Sequence, residues 1–386
     1  MKTIYFDHAA TTPVDQRVLE AMLPYFVERY GNPSELHRLG REGRRAVEAA
    51  RAAVAAALNA GEREIVFTAG GTEADNLALC GYLERFESGH LIVSAIEHPA
   101  VMETAKVLGR RGWGVDFVPV DRDGLIDLDA YDRAFRPNTK LASVMFANNV
   151  VGTVQPVADL ARVAHEHGAL FHTDAVQAVG ALPVDVQALS VDLLSLSGHK
   201  LYGPKGVGAL YVRRGTRLAP LVHGGGHERR LRSGTENVPG IVGLGAAMSL
   251  AVEEMPERQA RLVALRERLA DGVLAAVPEV SYLGHRTQRL PGNVAFTVRY
   301  VEGESMLLQL DQAGIMVSSG SACATGSLEP SHVILALGYR AEEAHGSIRA
   351  TLGWENTEEQ IDAFLEVFPP IVEKLRAMSP LYRAGA

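Results

Sequence analysis

Leu193-Leu194-Ser195-Leu196-Ser197-Gly198-His199-Lys200, running on into Leu201-Tyr202-Gly203-Pro204-Lys205-Gly206, is an apolar strand that empties a serine, a histidine and a lysine into a glycine-rich turn. Continuous rather than alternating apolar character marks a strand covered on both faces, the signature of a mostly parallel sheet. Working outward, residues 64–68, 91–94, 115–119, 141–146, 169–173, 191–197 and 207–212 read as strands of the same kind. Most precede a helix-like segment, and residues 41–59 carry alanine, valine and leucine at helical spacing. Alternation of this sort predicts an α/β sheet with helices on both faces. Beyond Pro256 the rhythm changes to a charged helix over 257–277, a strand over 293–298 and a closing helix over 357–378. The expected architecture is a large domain of residues 15–256 and a smaller α+β domain of residues 1–14 and 257–386.

Composition narrows the function. The chain has 386 residues with 47% hydrophobic and 22% charged, an ordinary globular balance that excludes a disordered chain. A formal net charge of −8 argues against nucleic acid or an anionic membrane as the principal partner. No apolar leader or bilayer-length stretch stands out, so a soluble, cytoplasmic protein is expected. Two cysteines, Cys80 and Cys323, cannot make a disulfide framework or a cysteine-based zinc site. Of the 38 basic residues only Lys2, Lys106, Lys140, Lys200, Lys205 and Lys374 are lysines. Chemistry that needs an amine or a thiolate therefore has few candidates. His223 and His227 lie four apart in a glycine-rich loop, but without a carboxylate- or cysteine-rich context they are not read as metal ligands.

Ligands of open α/β sheets bind beyond the carboxyl ends of the strands. Three segments sit at such exits. Ile65-Val66-Phe67-Thr68-Ala69-Gly70-Gly71-Thr72-Glu73-Ala74 runs a strand into two glycines and a threonine at the expected helix N-cap. That arrangement serves equally as a capped tight turn or as an anion cradle. It is neither a Walker loop nor a dinucleotide fingerprint. Phe171-His172-Thr173-Asp174-Ala175-Val176-Gln177 ends a strand on Asp174, which suits a helix cap or a carboxylate that holds a proton on a heteroaromatic ring nitrogen. Lys200, at the mouth of the sheet, is a candidate Schiff-base amine, with Lys205 its competitor. Together cradle, carboxylate and amine fit pyridoxal 5'-phosphate.

Further motifs make a resemblance specific. Phe6-Asp7-His8-Ala9-Ala10-Thr11-Thr12-Pro13, Gly31-Asn32-Pro33-Ser34, Ile96-Glu97-His98, Asn148-Asn149 and Ser197-Gly198-His199-Lys200 resemble the cysteine desulfurases. So do His223-Gly224-Gly225-Gly226-His227-Glu228, Arg232-Ser233-Gly234-Thr235-Glu236-Asn237 and Ser318-Ser319-Gly320-Ser321-Ala322-Cys323. The similarity extends over nearly the whole chain. The resemblance implies a fold-type I pyridoxal-phosphate enzyme of the class V aminotransferase-related family, in its long-cysteine-loop group. By that resemblance Lys200 attaches the cofactor, Asp174 pairs with the ring nitrogen, Gln177 with the ring hydroxyl, and His98 stacks on the ring. Asn149 lines the cofactor. Gly71, Thr72, Ser197 and His199 hold the phosphate, and Thr235 reaches it from a neighbouring subunit, which makes the expected state a homodimer with shared sites. Asn32 and Arg349 are implied to bind the substrate carboxylate.

The resemblance further implies removal of sulfur from L-cysteine, leaving L-alanine and a persulfide on Cys323. That residue lies on a loop of about 319–329, expected to be mobile. The sulfur then passes to an iron–sulfur scaffold or another sulfur-acceptor protein. Other readings on this fold are a selenocysteine lyase, an aminotransferase, or a non-enzymatic sulfur carrier or ligand-binding protein. The chain departs from the family at Gly71, where alanine is frequent, at Val150-Val151, where Glu-Ile is frequent, and at Glu35 beside the Asn-Pro-Ser motif.

Overall fold

A computed structural model describes residues 3–319, 329–380 and 382. Twelve strands occur among them: β1 (Ile4–Tyr5), β2 (Ile65–Thr68), β3 (His90–Ser94), β4 (Gly114–Val118), β5 (Thr139–Ser143), β6 (Leu170–Asp174), β7 (Leu193–Ser197), β8 (Gly208–Val212), β9 (Val280–Tyr282), β10 (Asn293–Val298), β11 (Ile315–Met316) and β12 (Ser347–Thr351). Seven of them form one sheet in the order β2-β8-β7-β6-β5-β3-β4. Neighbours from β7 through β4 pair parallel, whereas β8 runs antiparallel to both β7 and β2. Every residue of β2, β3, β7 and β8 is buried, which is why these strands read as continuous apolar runs.

The two faces divide by the period of two that a strand imposes. Ile65, Phe67, Leu194 and Leu196 join a core with Val47, Val54, Leu160 and Leu244. Val66, Leu193 and Leu210 join a core on the opposite face with Leu77, Leu83, Val101 and Leu108. On that second face polar side chains cross-link the strands. His172 of β6 pairs through Nδ1 with Ser143 Oγ of β5 at 2.8 Å and through Nε2 with Ser195 Oγ of β7 at 3.0 Å.

A separate core gathers Phe6, Leu269, Val294, Phe296, Ile348, Phe364 and Phe368 around the antiparallel sheet β12-β10-β9. A continuous helix, Val238–Ala276, reaches this core and the first one described, giving Leu244 and Met248 to the first and Leu265, Leu269 and Val273 to this one. The sequence reading began a new helix at residue 257, and here the structure differs. Pro256 deletes one hydrogen bond, to the carbonyl of residue 252, and Val252 faces water that can satisfy it. Among the described residues this is the one helix long and apolar enough to cross a membrane, and 56% of its apolar window is buried against the rest of the chain.

His172 gives the sheet a pH signature. Burial pushes its imidazole from 6.5 down to about 3. Between those values the unfolded chain binds a proton that the folded chain refuses, so stability falls as pH drops below 6.5. From about pH 7.5 to about pH 5 the native protein should lose roughly 2 kcal/mol at this residue that His172→Gln keeps. Urea unfolding of both proteins at the two pH values measures the difference, and an identical loss in both would refute it.

Candidate active site

The carboxyl ends of β2, β6 and β7 open on one side of the sheet, and the functional side chains gather there. β2 leads through Ala69 and Gly70 into the helix Gly71–Leu83. Thr72, expected at the cap, is instead the second helical residue; the cap position is Gly70, which has no side chain to offer. The leading amides of the helix are therefore left for a ligand, where the helix dipole also favours an anion. Gly71 is close-packed: a Cβ there would stand 2.7 Å from Val176 Cγ2 and 3.6 Å from Ser197 Cβ. Thr11, Gly71, Thr72, Ser197, His199 and Lys205 are among the residues lining a cleft of about 790 Å³. His199 Nδ1 meets Thr11 Oγ1 at 3.1 Å. Burial, with Lys200 and Lys205 adding to it, brings the His199 imidazole down to about 4, so it stands neutral at physiological pH.

Asp174 is the last residue of β6 and 5% exposed. One carboxylate oxygen accepts the Val176 N–H at 2.9 Å. Burial pushes its pKa up, while His98, that N–H and Lys200 all pull the other way. His98 caps the helix Pro99–Arg110, accepting the Ala100 N–H at 3.1 Å through Nδ1. Its imidazole is lowered by burial and partly restored by the Asp174 charge. Gln177 Nε2 donates to the Ala9 carbonyl at 3.0 Å. Lys200 Nζ donates to that same carbonyl and to the Ala10 carbonyl at 2.7 Å. Lys205 is exposed and lines the same cleft as His199.

Arg349 is 3% exposed, inside β12. Nη2 pairs with Asp7 Oδ1 at 2.7 Å, Nη1 donates to the Asn149 carbonyl at 3.0 Å, and Nε has no partner among the described residues. Its backbone bridges Ser318, the residue from which the cysteine segment departs. Asn149 is buried beside it. Asn32 lies on an exposed turn, where its Oδ1 accepts the Ser34 N–H at 3.0 Å, and no described contact joins it to the others. Thr235 is exposed on the loop before Val238. Cys323 lies outside the described residues. Among the described residues no His, Cys, Asp and Glu side chains form a metal-holding group.

Several buried groups escaped the sequence reading. Asp75, 1% exposed, brings Oδ1 to 3.7 Å from His172 Nε2, but burial pushes the acid well above its ordinary pKa and keeps the imidazole neutral, so this is not an ion pair. Glu97 is fully buried, accepts the Met145 N–H at 2.5 Å, and is raised well above the carboxylate range by burial and by Asp174. The signal for Asp75 was present: an aspartate among Ala74, Leu77 and Ala78 on the face of a helix that packs against the sheet.

A helix end free of side-chain caps, hydroxyl groups, a neutral imidazole, a dry carboxylate and an amine at one sheet edge are the donors and acceptors that pyridoxal phosphate needs. Comparison with known proteins agrees. The family model described as aminotransferase class-V matches residues 4–364. The chain is 51% identical to cysteine desulfurase IscS of Methanosarcina thermophila, over 98% of this chain and 94% of that one. It is 49% identical to cysteine desulfurase IscS of Dictyoglomus turgidum, over 98% and 97%. A solved NifS-like protein superposes with a TM-score of 0.91 at 40% identity, covering 97% of this chain and all of its own. The apo cysteine desulfurase of Thermococcus onnurineus NA1 superposes at 0.87 and 30% identity, over 97% and 96%. Carrying the fold and the sheet-edge site that such enzymes require, the chain belongs to the aminotransferase class-V family, among its cysteine desulfurases.

Proposed function

We propose that this cysteine desulfurase uses pyridoxal 5'-phosphate to take sulfur from L-cysteine, with Cys323 as the receiving thiol. The observation that carries the reading is the meeting of Asp174 and Lys200, from the ends of adjacent parallel strands, with the uncapped start of the helix Gly71–Leu83. Gly71, Thr72, Ser197 and His199 would hold the phosphate, with Thr235 reaching it from a second subunit. Asp174 would face the ring nitrogen, Gln177 the ring hydroxyl, His98 the ring plane, and Asn149 the surrounding wall. When bound, the cofactor supplies an electron sink that weakens the Cβ–Sγ bond of the substrate.

The protein's own groups do the rest. Lys200 Nζ, held at the Ala9 and Ala10 carbonyls, is the amine available for attachment and for moving the substrate's α proton. Arg349, whose Nε has no partner among the described residues, would take the substrate carboxylate, for which a guanidinium fork is suited, and Asn32 is assigned to the same group. The Cys323 thiolate then attacks Sγ. The Cβ–Sγ bond breaks, its electrons go to Cβ with a proton, and the products are L-alanine and a Cys323 persulfide. An acceptor protein, an iron–sulfur scaffold or another sulfur carrier, would remove that sulfur in a reducing, cytoplasmic compartment. The separation of the large sheet's two cores from the one around β12-β10-β9 supports a large domain of residues 15–256 and a small domain of 1–14 and 257–386 that carries the cysteine segment. Homodimer formation is supported by an apolar surface on residues 23–36, where Val27 and Leu36 are 74% and 82% exposed, close to each other in sequence with Leu23, Phe26 and Tyr30.

Mass spectrometry after incubation with L-cysteine should find one added sulfur at Cys323. Cys323→Ala should lose both that adduct and alanine formation; if alanine formation from L-cysteine survives, the thiol assignment falls. Lys200→Ala should remove the visible absorbance that added cofactor gives the native protein, and retention of that absorbance would transfer the role to Lys205. Arg349→Gln should raise KM for L-cysteine by roughly 10–100-fold, the worth of a charge-assisted hydrogen bond, with a smaller change in kcat. Steady-state kinetics test this, and an unchanged KM would exclude Arg349 from the substrate site.

A further inference from the structure

The loop that carries Thr235 contains an unusual piece of backbone. Glu228, Arg229 and Arg230 follow one another at φ values of 43°, 53° and 69°. None is glycine, and the left-handed region crowds a Cβ against the next carbonyl, so three in succession need external support. The side chains provide it. Glu228 is buried, its two carboxylate oxygens 2.6 and 2.9 Å from Arg51 Nη2 and Nη1. The second oxygen also accepts the Phe67 N–H at 2.8 Å. Arg51 itself donates to the Ile65 carbonyl at 2.9 Å and lies over the Phe67 ring, its guanidinium carbon 4.7 Å from the centroid. Arg229 Nη2 reaches the same Ile65 carbonyl at 2.6 Å.

A second fastening lies a turn further on. Arg232 Nε pairs with Glu73 Oε1 at 3.1 Å, and Glu73 Oε2 accepts the Ala69 N–H at 3.1 Å. The two fastenings grip the chain at residues 65, 67, 69 and 73, on both sides of Gly70-Gly71-Thr72. Neither Glu228 nor Arg232 lines the cleft.

We propose that residues 227–233 are a strap that holds the phosphate cradle of their own subunit in shape, making Glu228 and Arg232 positioning residues for the cofactor phosphate. The proposal rests on the assignment of that cradle to pyridoxal phosphate. A strap with this role acts on the phosphate alone. It should leave recognition of the ring by Asp174, His98 and Lys200 untouched.

Binding of pyridoxal phosphate and of pyridoxal, which lacks the phosphate, to cofactor-stripped protein separates the two effects. Arg232→Met, which keeps the side-chain bulk at a half-buried position, should weaken pyridoxal phosphate about fivefold, the scale of one partly exposed ion pair, and leave pyridoxal unchanged. Glu73→Gln should do the same, and the double variant should add little to either. Glu228→Gln should weaken pyridoxal phosphate more, by roughly tenfold or beyond, because the pair it breaks is buried. If that variant does not fold, the Arg232 and Glu73 variants decide. Equal weakening of both ligands, or no weakening of either, overturns the strap. Native protein that binds pyridoxal as tightly as its phosphate would instead overturn the cradle assignment, before any variant is compared.

Discussion

Everything at this site turns on one carboxylate in a dry place. Asp174 ends β6 below the surface of the molecule, where burial pushes its pKa up. Three groups resist that: the Val176 amide, the His98 imidazole and the Lys200 amine. Two other acids nearby, Asp75 and Glu97, are buried more deeply, and burial together with Asp174 pushes both well above their ordinary values. Of the three, Asp174 is the acid that His98 and Lys200 pull back down.

The segment from Asp7 to Thr12 organises this charge from outside the sheet. The Ala9 carbonyl receives Gln177 and Lys200 together. Thr12 Oγ1 donates to the His199 carbonyl at 3.1 Å and accepts the Tyr202 N–H at 2.9 Å. The Ala9 amide donates to Thr351 Oγ1 at 2.8 Å, and Asp7 holds Arg349. A short run near the start of the chain is therefore hydrogen-bonded to the turn after β7 and to β12 alike. Such contacts span some 190 to 340 residues of sequence, so they form only when both cores are in place.

What could be read in the sequence was what depends on local pattern. The parallel sheet follows from continuous apolar strands, and Asp174 and Lys200 stood out by their place at the ends of such strands, although a helix cap suited the aspartate equally. Partner-dependent features were not visible. Nothing local shows that Arg349 points inward, because its reason for doing so is Asp7, at the other end of the chain. Thr72 resembled a cap, but Gly70, two residues earlier, takes that place. Pro256 resembled a boundary, yet packing on both sides of it outweighs one missing hydrogen bond. Glu228 sat in a quoted motif without a purpose, since Arg51 and Phe67 lie more than 150 residues away. Cys323 was singled out by the serine–glycine setting and by family likeness, not by strand geometry.

The bridge between Ser318 and Arg349 anchors the start of the stretch that leads to Cys323. Whatever path the intervening backbone takes, the five residues from Ser318 to Cys323 span no more than roughly 18 Å. On the proposal that Cys323 receives the sulfur, the thiol would meet the substrate within that radius as part of the same molecule, at an effective concentration on the order of millimolar without any diffusional encounter. The same radius would bound delivery: an acceptor would have to present its own nucleophile near the seam where β12 meets the chain's first residues.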